Sequence, residues 1–275
     1  MNSSSLEVLI RPGPSETMNM AWLSLKYEFP SSLPVDHTLS TIKRIEWWHR
    51  DDASHTGGIN SLSEVLDRAS HVEYLALGGI LQPYSRSRRG RSLEHLKTLR
   101  LYRANVYFLW LISTWDLPLL HHLVLDWSPE PLAIVDLAHF FSKSLRSVEL
   151  GRNLCFYARD HVLPLLRVCP HLTELSYYIH FTQIPTAFDN FVHTSLKTVR
   201  LHGQSNPAFN EHQQQMKQTG SHLGFLASDC LSSLQSVILY GDWSLQWADI
   251  KGMQEFTDLY SRGRSMEHIT GTVII

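Results

Sequence analysis

Histidine and cysteine are the residue types of this chain best suited to bind a metal ion, and their spacing decides whether they do. The sequence of 275 residues holds 16 histidines and three cysteines. His121 and His122 are adjacent, so on a strand their side chains point to opposite faces and do not share a metal ion. His212 and His222 have no cysteine or carboxylate at ligand spacing, and neither HExxH nor CxxC occurs. The pattern predicts no metal site.

Nucleophilic and phosphate-binding motifs are missing from the sequence as well. It contains no GxSxG elbow, no Walker loop and no GxGxxG turn. The cysteines Cys155, Cys169 and Cys230 are odd in number and widely spaced, which favours a reducing compartment over a disulfide framework. Cys169 precedes Pro170 at the end of a helical pattern, which is typical of a small buried residue. We therefore expect a protein that is not an enzyme and needs no cofactor.

The charge balance argues against two large classes of partner. Lys plus Arg number 24 and Asp plus Glu 26, so a formal charge of −2 draws the chain neither to nucleic acid nor to an anionic membrane. The most apolar stretch, residues 107–125, is interrupted by Asp116 and Pro118, which makes it a poor membrane span. The first residues lack the basic and apolar regions of a signal peptide. These features predict a cytoplasmic or nuclear protein that acts as a monomer or within a hetero-complex.

A sequence pattern that recurs along the chain predicts the strands on which any binding residues must lie. SLEHLKTLRLYR at 92–103 returns as LLHHLVLDW at 119–127 and as SLKTVRLHG at 195–203. Each copy follows the pattern apolar-x-x-apolar-x-apolar, and most copies recur after 24 to 27 residues, which is the spacing of leucine-rich repeats. The third apolar positions of the eight copies are Trp47, Leu77, Leu101, Leu125, Leu150, Tyr177, Leu201 and Leu239.

The local periodicity predicts how these copies are connected. Alternation of period two within each copy predicts a strand, and residues 61–70, 132–144 and 158–170 carry the spacing of helices. We expect loops at 83–92 and 203–229, the second of them ending in a short helix. Strands joined by such crossovers run parallel. The sequence therefore predicts an α/β leucine-rich-repeat solenoid, with a curved parallel sheet on its concave face and helices and loops on its convex face.

The pattern also divides the chain into three parts. We expect residues 1–38 to form an irregular N-terminal repeat or edge unit and residues 39–241 to form the solenoid. Residues 242–275 are expected to form a C-terminal helical cap, broken near Gly252, with a short final strand around Ile269.

A family resemblance rests on two stretches, SLSEVLDRASHVEYLALGG at 61–79 and LPLLRVCPHLTELSYY at 163–178. They resemble the leucine-rich-repeat region of fungal F-box-type proteins, in which a helix ending near Cys-Pro or a small residue leads into an LxxLxL strand. The resemblance covers roughly residues 39–241 and implies a ubiquitin-ligase adaptor that recognises substrate proteins with its repeats. No F-box is visible ahead of residue 39, so we expect a repeat-only relative or a truncated product.

The alternation within the strands identifies the surface on which such a solenoid binds its partners. Residues beside each third apolar position point away from the core, and many are Tyr, Trp or Arg, the types that dominate binding energy at protein interfaces. We predict a protein-binding concave face made of Trp48, Arg100, Tyr102, Asp126, Glu149, Tyr178, Arg200, His202 and Tyr240. The alternative is that aromatic residues are frequent here only because they suit exposed strands.

A second hypothesis places the function in the loops. Long loops on a rigid scaffold often carry function, so 83–92 and 203–229 are candidates for a small-molecule or enzymatic site. The first contains the arginine run 86–91, which is either a solvated loop or a patch for phosphate binding or nuclear import. Because no aromatic residues are interleaved, the run does not indicate a nucleic-acid partner.

Overall fold

Parallel strands of four to six residues alternate with helical returns along the computed structural model of the chain. The structure describes residues 7–11, 39–48, 59–78, 90–102, 106–126, 131–152, 159–183, 191–204, 212–241, 243 and 247–269. It divides into two compact units, residues 1–133 and 134–275. This boundary falls inside the segment 39–241 that the sequence predicts as continuous repeats.

The described part of the first unit contains five strands whose order in the sheet is their order in the sequence, and each neighbouring pair is parallel. They are β1 (Val8–Arg11), β2 (Arg44–Trp48), β3 (Tyr74–Gly78), β4 (Thr98–Leu101) and β5 (His122–Leu125). Helix α1 (Ile59–Arg68) lies between β2 and β3 in the chain, and α2 (Val106–Ser113) lies between β4 and β5. Helix α3 (Pro131–Phe140) contains the boundary between the units.

The second unit repeats this arrangement with five further parallel strands in sequence order. They are β6 (Ser147–Leu150), β7 (Glu174–Tyr178), β8 (Thr198–Gly203), β9 (Ser236–Gly241) and β10 (Ser265–Ile269). The helices are α4 (Val162–Val168), α5 (His212–Ala227), α6 (Trp247–Lys251) and α7 (Gln254–Ser261). Short 3-10 turns follow β7 (Ile179–Phe181) and α5 (Asp229–Leu231). Both units are thus α/β with parallel strands, as predicted.

The strand register confirms the alignment of the repeats. In the first unit the third apolar positions are direct partners on neighbouring strands, from Trp47 on β2 to Leu125 on β5. In the second unit they are partners from Leu150 on β6 to Leu239 on β9. All eight side chains are at most 3% exposed. Burial of each contributes roughly 1.5–3 kcal/mol, so the repeated apolar positions build the core of each unit.

In several copies the start of the sequence pattern forms the turn that leads into the strand. The backbone N–H of Leu96 donates to the carbonyl of Leu93 at 3.1 Å, and the equivalent bond recurs at Val72, Leu172 and Leu234. The residues at both ends of this turn are buried. The apolar-x-x-apolar spacing is therefore the sequence signature of a tight turn whose two ends both face the core.

Several predicted elements are present where the periodicity places them. Helices α1, α3 and α4 coincide with the predicted helical segments, and α4 ends at Val168, directly before Cys169 and Pro170. The thiol of Cys169 is fully buried, as predicted. At the C-terminus, α6 and α7 lie on either side of Gly252, and β10 pairs with β9.

The prediction of a loop over 203–229 is wrong for most of that segment, since α5 occupies His212–Ala227. The buried side of this helix includes Thr219 and His222 as well as Leu223 and Leu226. Because polar residues occupy part of the buried stripe, the apolar spacing of a helix is not visible in the sequence. The other predicted loop, 83–92, lies mostly outside the described residues.

The apolar stretch 107–125 is divided between two elements of the first unit. Most of α2 comes first, and β5 closes the stretch. Within the part of the chain that the structure describes, no helix combines the length and apolar character needed to cross a membrane.

Candidate strand-face binding site

The outward side chains of the strands form a face in each unit, and the predicted binding residues lie on these faces. The unit-1 face consists of Arg44, Glu46, Tyr74, Arg100, Tyr102 and Asp126. The unit-2 face consists of Glu149, Arg152, Glu174, Ser176, Tyr178, Arg200, His202, Gln204 and Tyr240. Trp48, the remaining predicted binding residue, ends β2, and its side chain is not among those that the structure describes.

On the unit-1 face, the structure brings three predicted residues together. Arg100 Nε donates to Asp126 Oδ2 at 2.9 Å, and its Cζ lies 4.4 Å from the centroid of the Tyr102 ring. The Arg100 side chain is only 10% exposed. Burial disfavours the charge on Arg100, but the Asp126 carboxylate outweighs this effect, and the net pKa of the guanidinium is raised. The pair is therefore an ion pair whose arginine side chain is largely buried and lies against an aromatic ring.

The same face carries a second arginine–tyrosine contact that the sequence argument missed. Arg44 Cζ lies 4.3 Å from the centroid of the Tyr74 ring, and Arg44 Nε donates to Glu46 Oε1 at 2.8 Å. Tyr74 lies three positions before the third apolar residue of its strand, whereas the predicted binding residues lie directly before or after that residue. The alternation of period two, continued one step toward the start of the strand, places Tyr74 on the same outward face.

On the unit-2 face, three predicted aromatic residues form a continuous stack, which we call the aromatic stack: Tyr178, His202 and Tyr240. The ring centroids are 4.6 Å apart for Tyr178 and His202 and 5.5 Å apart for His202 and Tyr240, with interplanar angles of 21°. The three residues are register partners on β7, β8 and β9. Because neighbouring strands lie about 4.8 Å apart, side chains of one column are spaced at the distance that stacking requires.

A serine lies beneath the aromatic stack and contacts its central ring. The Ser176 hydroxyl and His202 Nε2 are hydrogen-bonded at 2.9 Å. Burial lowers the pKa of His202; Arg200 lowers it further, whereas Glu149 raises it. Ser176 is only 4% exposed, and in the described part of the chain no carboxylate bonds to His202 Nδ1. Ser176 and His202 thus make the contact of a nucleophile with its base. Ser176 is buried, however, and among the described residues no carboxylate orients the histidine ring.

Charged residues border the aromatic stack. Arg200 Nη1 donates to Glu174 Oε2 at 2.6 Å, with side chains 29% and 40% exposed, respectively. Glu149 is half-buried on β6. Arg152 was missed by the sequence argument because it lies one residue beyond the aromatic column. Its Cζ lies 6.0 Å from the Tyr178 ring centroid, and its Nη1 donates to Gln204 Oε1 at 3.0 Å.

Two buried histidines of the second unit, His193 and His222, act as structural hydrogen-bonding groups. The backbone N–H of Leu196 donates to His193 Nδ1 at 3.1 Å, so the ring proton is on Nε2, which donates to the Cys169 carbonyl at 3.0 Å. His222 is fully buried; the Tyr177 hydroxyl donates to its Nδ1 and its Nε2 donates to the Thr182 carbonyl.

The sequence argument found no carboxylate near His212 at ligand spacing, but the fold brings one into contact. His212 Nε2 lies 2.9 Å from Asp249 Oδ2. In the described residues, no group of three His, Cys, Asp or Glu side chains is arranged to hold a metal ion.

A groove between α5 and α7 is lined partly by the segment 203–229, which the second hypothesis assigned to a loop, and partly by Met253 and Glu255. It has a volume of about 630 Å³ and is lined by Gln213, Gln214, Met216, Lys217, Gly220, Ser221, Met253 and Glu255. The described residue of the arginine run, Arg91, bonds to Asp67 Oδ1 at 2.5 Å on α1. Arg91 is therefore engaged in an intramolecular ion pair.

Comparisons with protein-family models, with curated proteins and with solved structures find no match for this chain.

Proposed function

We propose that the protein is a non-catalytic recognition scaffold that binds a protein partner on the outward face of its strands. The observation that carries the proposal is the aromatic stack on the unit-2 face. Its three rings occupy the same column of three adjacent strands, and each is half-buried rather than covered. Partly exposed tyrosines held in one arrangement supply contact area with little further loss of side-chain freedom on binding.

The proposal includes the assignment of the strand-and-return units as leucine-rich repeats. The repeat spacing, the turn that recurs before several strands and the in-register third apolar positions support it. The resemblance to the repeat region of fungal F-box-type proteins then suggests substrate recognition in a ubiquitin-ligase setting, in the cytoplasm or nucleus. Solenoid proteins present the residues of successive repeats as one extended binding surface.

The experiment is a selection of peptides from a random library displayed on phage, with the immobilised full chain as target. Affinities of the selected peptides are then measured by fluorescence anisotropy. We expect the double variant Tyr178→Ala, Tyr240→Ala to weaken binding by about 30-fold or more, the range of interface hot spots.

The matched control removes two aromatic side chains that are exposed on helices instead of strands. Phe140 on α3 and Tyr260 on α7 are 60% and 51% exposed. The variant Phe140→Ala, Tyr260→Ala is expected to bind the selected peptides as the wild type does. Equal affinity of the Tyr178/Tyr240 variant and the wild type would refute the strand face as the binding surface.

The groove between α5 and α7 favours a second candidate function, the binding of a small molecule. Its volume of about 630 Å³ is in the range of ligand sites, and two methionines supply apolar lining. A thermal-shift screen with a metabolite library tests it. A compound whose stabilisation is lost in Met253→Lys would support this candidate, and a screen without stabilising compounds would remove it.

A further inference from the structure

The carboxyl-terminal edge of the unit-2 face exposes hydrogen-bond donors that have no carboxylate partner among the described residues. Arg152 is exposed, and its guanidinium donates to the neutral side-chain carbonyl of Gln204 at 3.0 Å. Within the described residues it forms no ion pair. By contrast, the other arginine of this face, Arg200, is paired with Glu174.

The chemistry of arginine fixes which end of the Gln204 amide faces outward. Guanidinium has only donors, so the oxygen of the Gln204 amide must accept from Arg152, and the amide NH₂ is left as a donor. The backbone of Gln204 is itself held in place, because the buried His180 donates from Nδ1 to its carbonyl at 3.0 Å. Arg152 and Gln204 therefore form a positioned pair that offers the remaining guanidinium N–H groups and the Gln204 amide NH₂ as donors, beside one remaining lone pair of the Gln204 oxygen.

The distribution of charge along the strands separates this pair from the acidic residues of the same face. Glu149 and Glu174 precede the third apolar position of their strands, whereas Arg152 and Gln204 follow it. Tyr178 lies beside the pair, since Arg152 Cζ is 6.0 Å from its ring centroid. An acceptor-only, negatively charged group complements this edge, and an apolar neighbour of that group meets the tyrosine.

We propose that the unit-2 face binds an acidic peptide segment of its protein partner, with an Asp or Glu carboxylate on Arg152 and Gln204 and the adjoining residue against Tyr178. This inference rests on the proposed function, because it names the chemistry of the partner that the same face recognises. The carboxylate accepts two N–H groups of Arg152 or one from each residue, and the aromatic stack provides the apolar contact.

The test uses the same phage-displayed random peptides, selected in parallel on the full-length wild type and on Arg152→Glu. We expect the wild type to enrich peptides with Asp or Glu beside an apolar residue and Arg152→Glu to lose that enrichment. In anisotropy measurements Arg152→Gln should weaken the selected peptide by about 10- to 100-fold, the range for hydrogen bonds to charged groups. Replacing the peptide's Asp or Glu by Asn or Gln should weaken binding to the wild type similarly. Combining this peptide with Arg152→Gln should weaken binding no more than either change alone.

The control is Arg167→Gln, which also removes an exposed arginine beside an aromatic ring, with Cζ 5.9 Å from the Phe191 ring, but on α4 instead of the strand face. It should leave affinity unchanged. If Arg152→Gln binds normally while the Tyr178/Tyr240 variant does not, the acidic partner is refuted and the proposed function stands. If both bind normally, both proposals fail. Selected peptides without Asp or Glu would also refute the acidic partner.

Discussion

The two faces of the molecule use the same strand positions for different chemistry. On the unit-1 face, cations are matched to anions and covered by tyrosine, as in the Arg100–Asp126 pair under Tyr102. On the unit-2 face, the same column holds neutral rings, Tyr178, His202 and Tyr240, stacked across three strands. The first arrangement satisfies its charges internally, whereas the second leaves Arg152 and Gln204 without a carboxylate partner among the described residues.

This difference suggests that one face stabilises its own unit and that the other face binds a partner. A face whose charges are already paired gains little from a partner, because binding must first desolvate or break those pairs. A face of positioned rings loses little on binding and gains apolar contact. The comparison therefore assigns the unit-1 face mainly to the stability of its own unit and the unit-2 face to the partner, and each assignment makes a separate prediction.

The largest expected change in stability comes from breaking the buried ion pair of the first unit. Replacing Asp126 by Ala leaves Arg100, whose side chain is 10% exposed, charged and unpaired. We expect the free energy of unfolding to fall by about 2–4 kcal/mol, since removing one partner of a buried pair leaves an uncompensated charge. Urea unfolding followed by circular dichroism measures the change.

The matched control is the pair on the unit-2 face. Glu174→Ala removes the partner of Arg200, but these side chains are 40% and 29% exposed, and exposed pairs contribute less than about 1 kcal/mol. Equal destabilisation by the two variants would contradict the contrast between the faces.

The next largest expected change is the loss of stability of the second unit at acidic pH. Burial lowers the pKa of His222 to about 3, so the ring stays neutral in the folded state while an unfolded chain takes up the proton below about pH 6.5. The contribution of the neutral His222 ring to the stability of the folded second unit is complete above pH 6.5 and is lost as the pH falls toward 3. At pH 5, His222 alone should cost the second unit about 2 kcal/mol, because each pKa unit corresponds to about 1.4 kcal/mol.

His193 acts in the same direction, since burial lowers its pKa as well and a proton on Nδ1 would oppose the N–H of Leu196. Of the described histidines in the first unit, His71, His95 and His121 are exposed and His122 is half-buried, so none is fully buried. Native-state hydrogen exchange at pH 7 and pH 5, corrected for intrinsic rates, measures both units in one sample. A loss of protection of the same size in both units would contradict the prediction.

The smallest effect concerns the contact that joins α5 to the sheet of the second unit. Tyr177→Phe removes the hydroxyl that donates to His222 at 3.1 Å and leaves a buried acceptor unsatisfied, which should cost about 1 kcal/mol. The control Tyr260→Phe, at a side chain that is 51% exposed, should change stability by less than about 0.5 kcal/mol. Thermal unfolding of the two variants gives the comparison, and equal midpoints would show that the buried bond contributes nothing.

The elements that the sequence predicted well are those whose cause is local. The tight turn and the strand that follows it need apolar residues at fixed short spacings, so Leu93, Leu96, Leu99 and Leu101 identify a strand and its register without knowledge of the fold. The columns of outward residues follow from the same alternation, which is why Tyr178, His202 and Tyr240 were predicted to share a face.

The features that the sequence did not predict depend on distant partners. Helix α5 buries His222, whose main partner Tyr177 is 45 residues away, so neither residue indicates the other locally. Arg152 reaches Gln204 across 52 residues and lies outside the alternating columns. Such contacts exist only once the strands are aligned, and periodicity alone therefore missed the helix and the donor pair.

The most direct test of the central claim is a hydrogen-exchange footprint of the full chain with a peptide selected from the phage library. Binding on the unit-2 face should slow exchange in 176–178, 200–204 and 238–241 and leave 213–221 and 253–255 unchanged. Protection confined to 213–221 and 253–255 would place the peptide in the groove between α5 and α7 and would contradict recognition by the strand face.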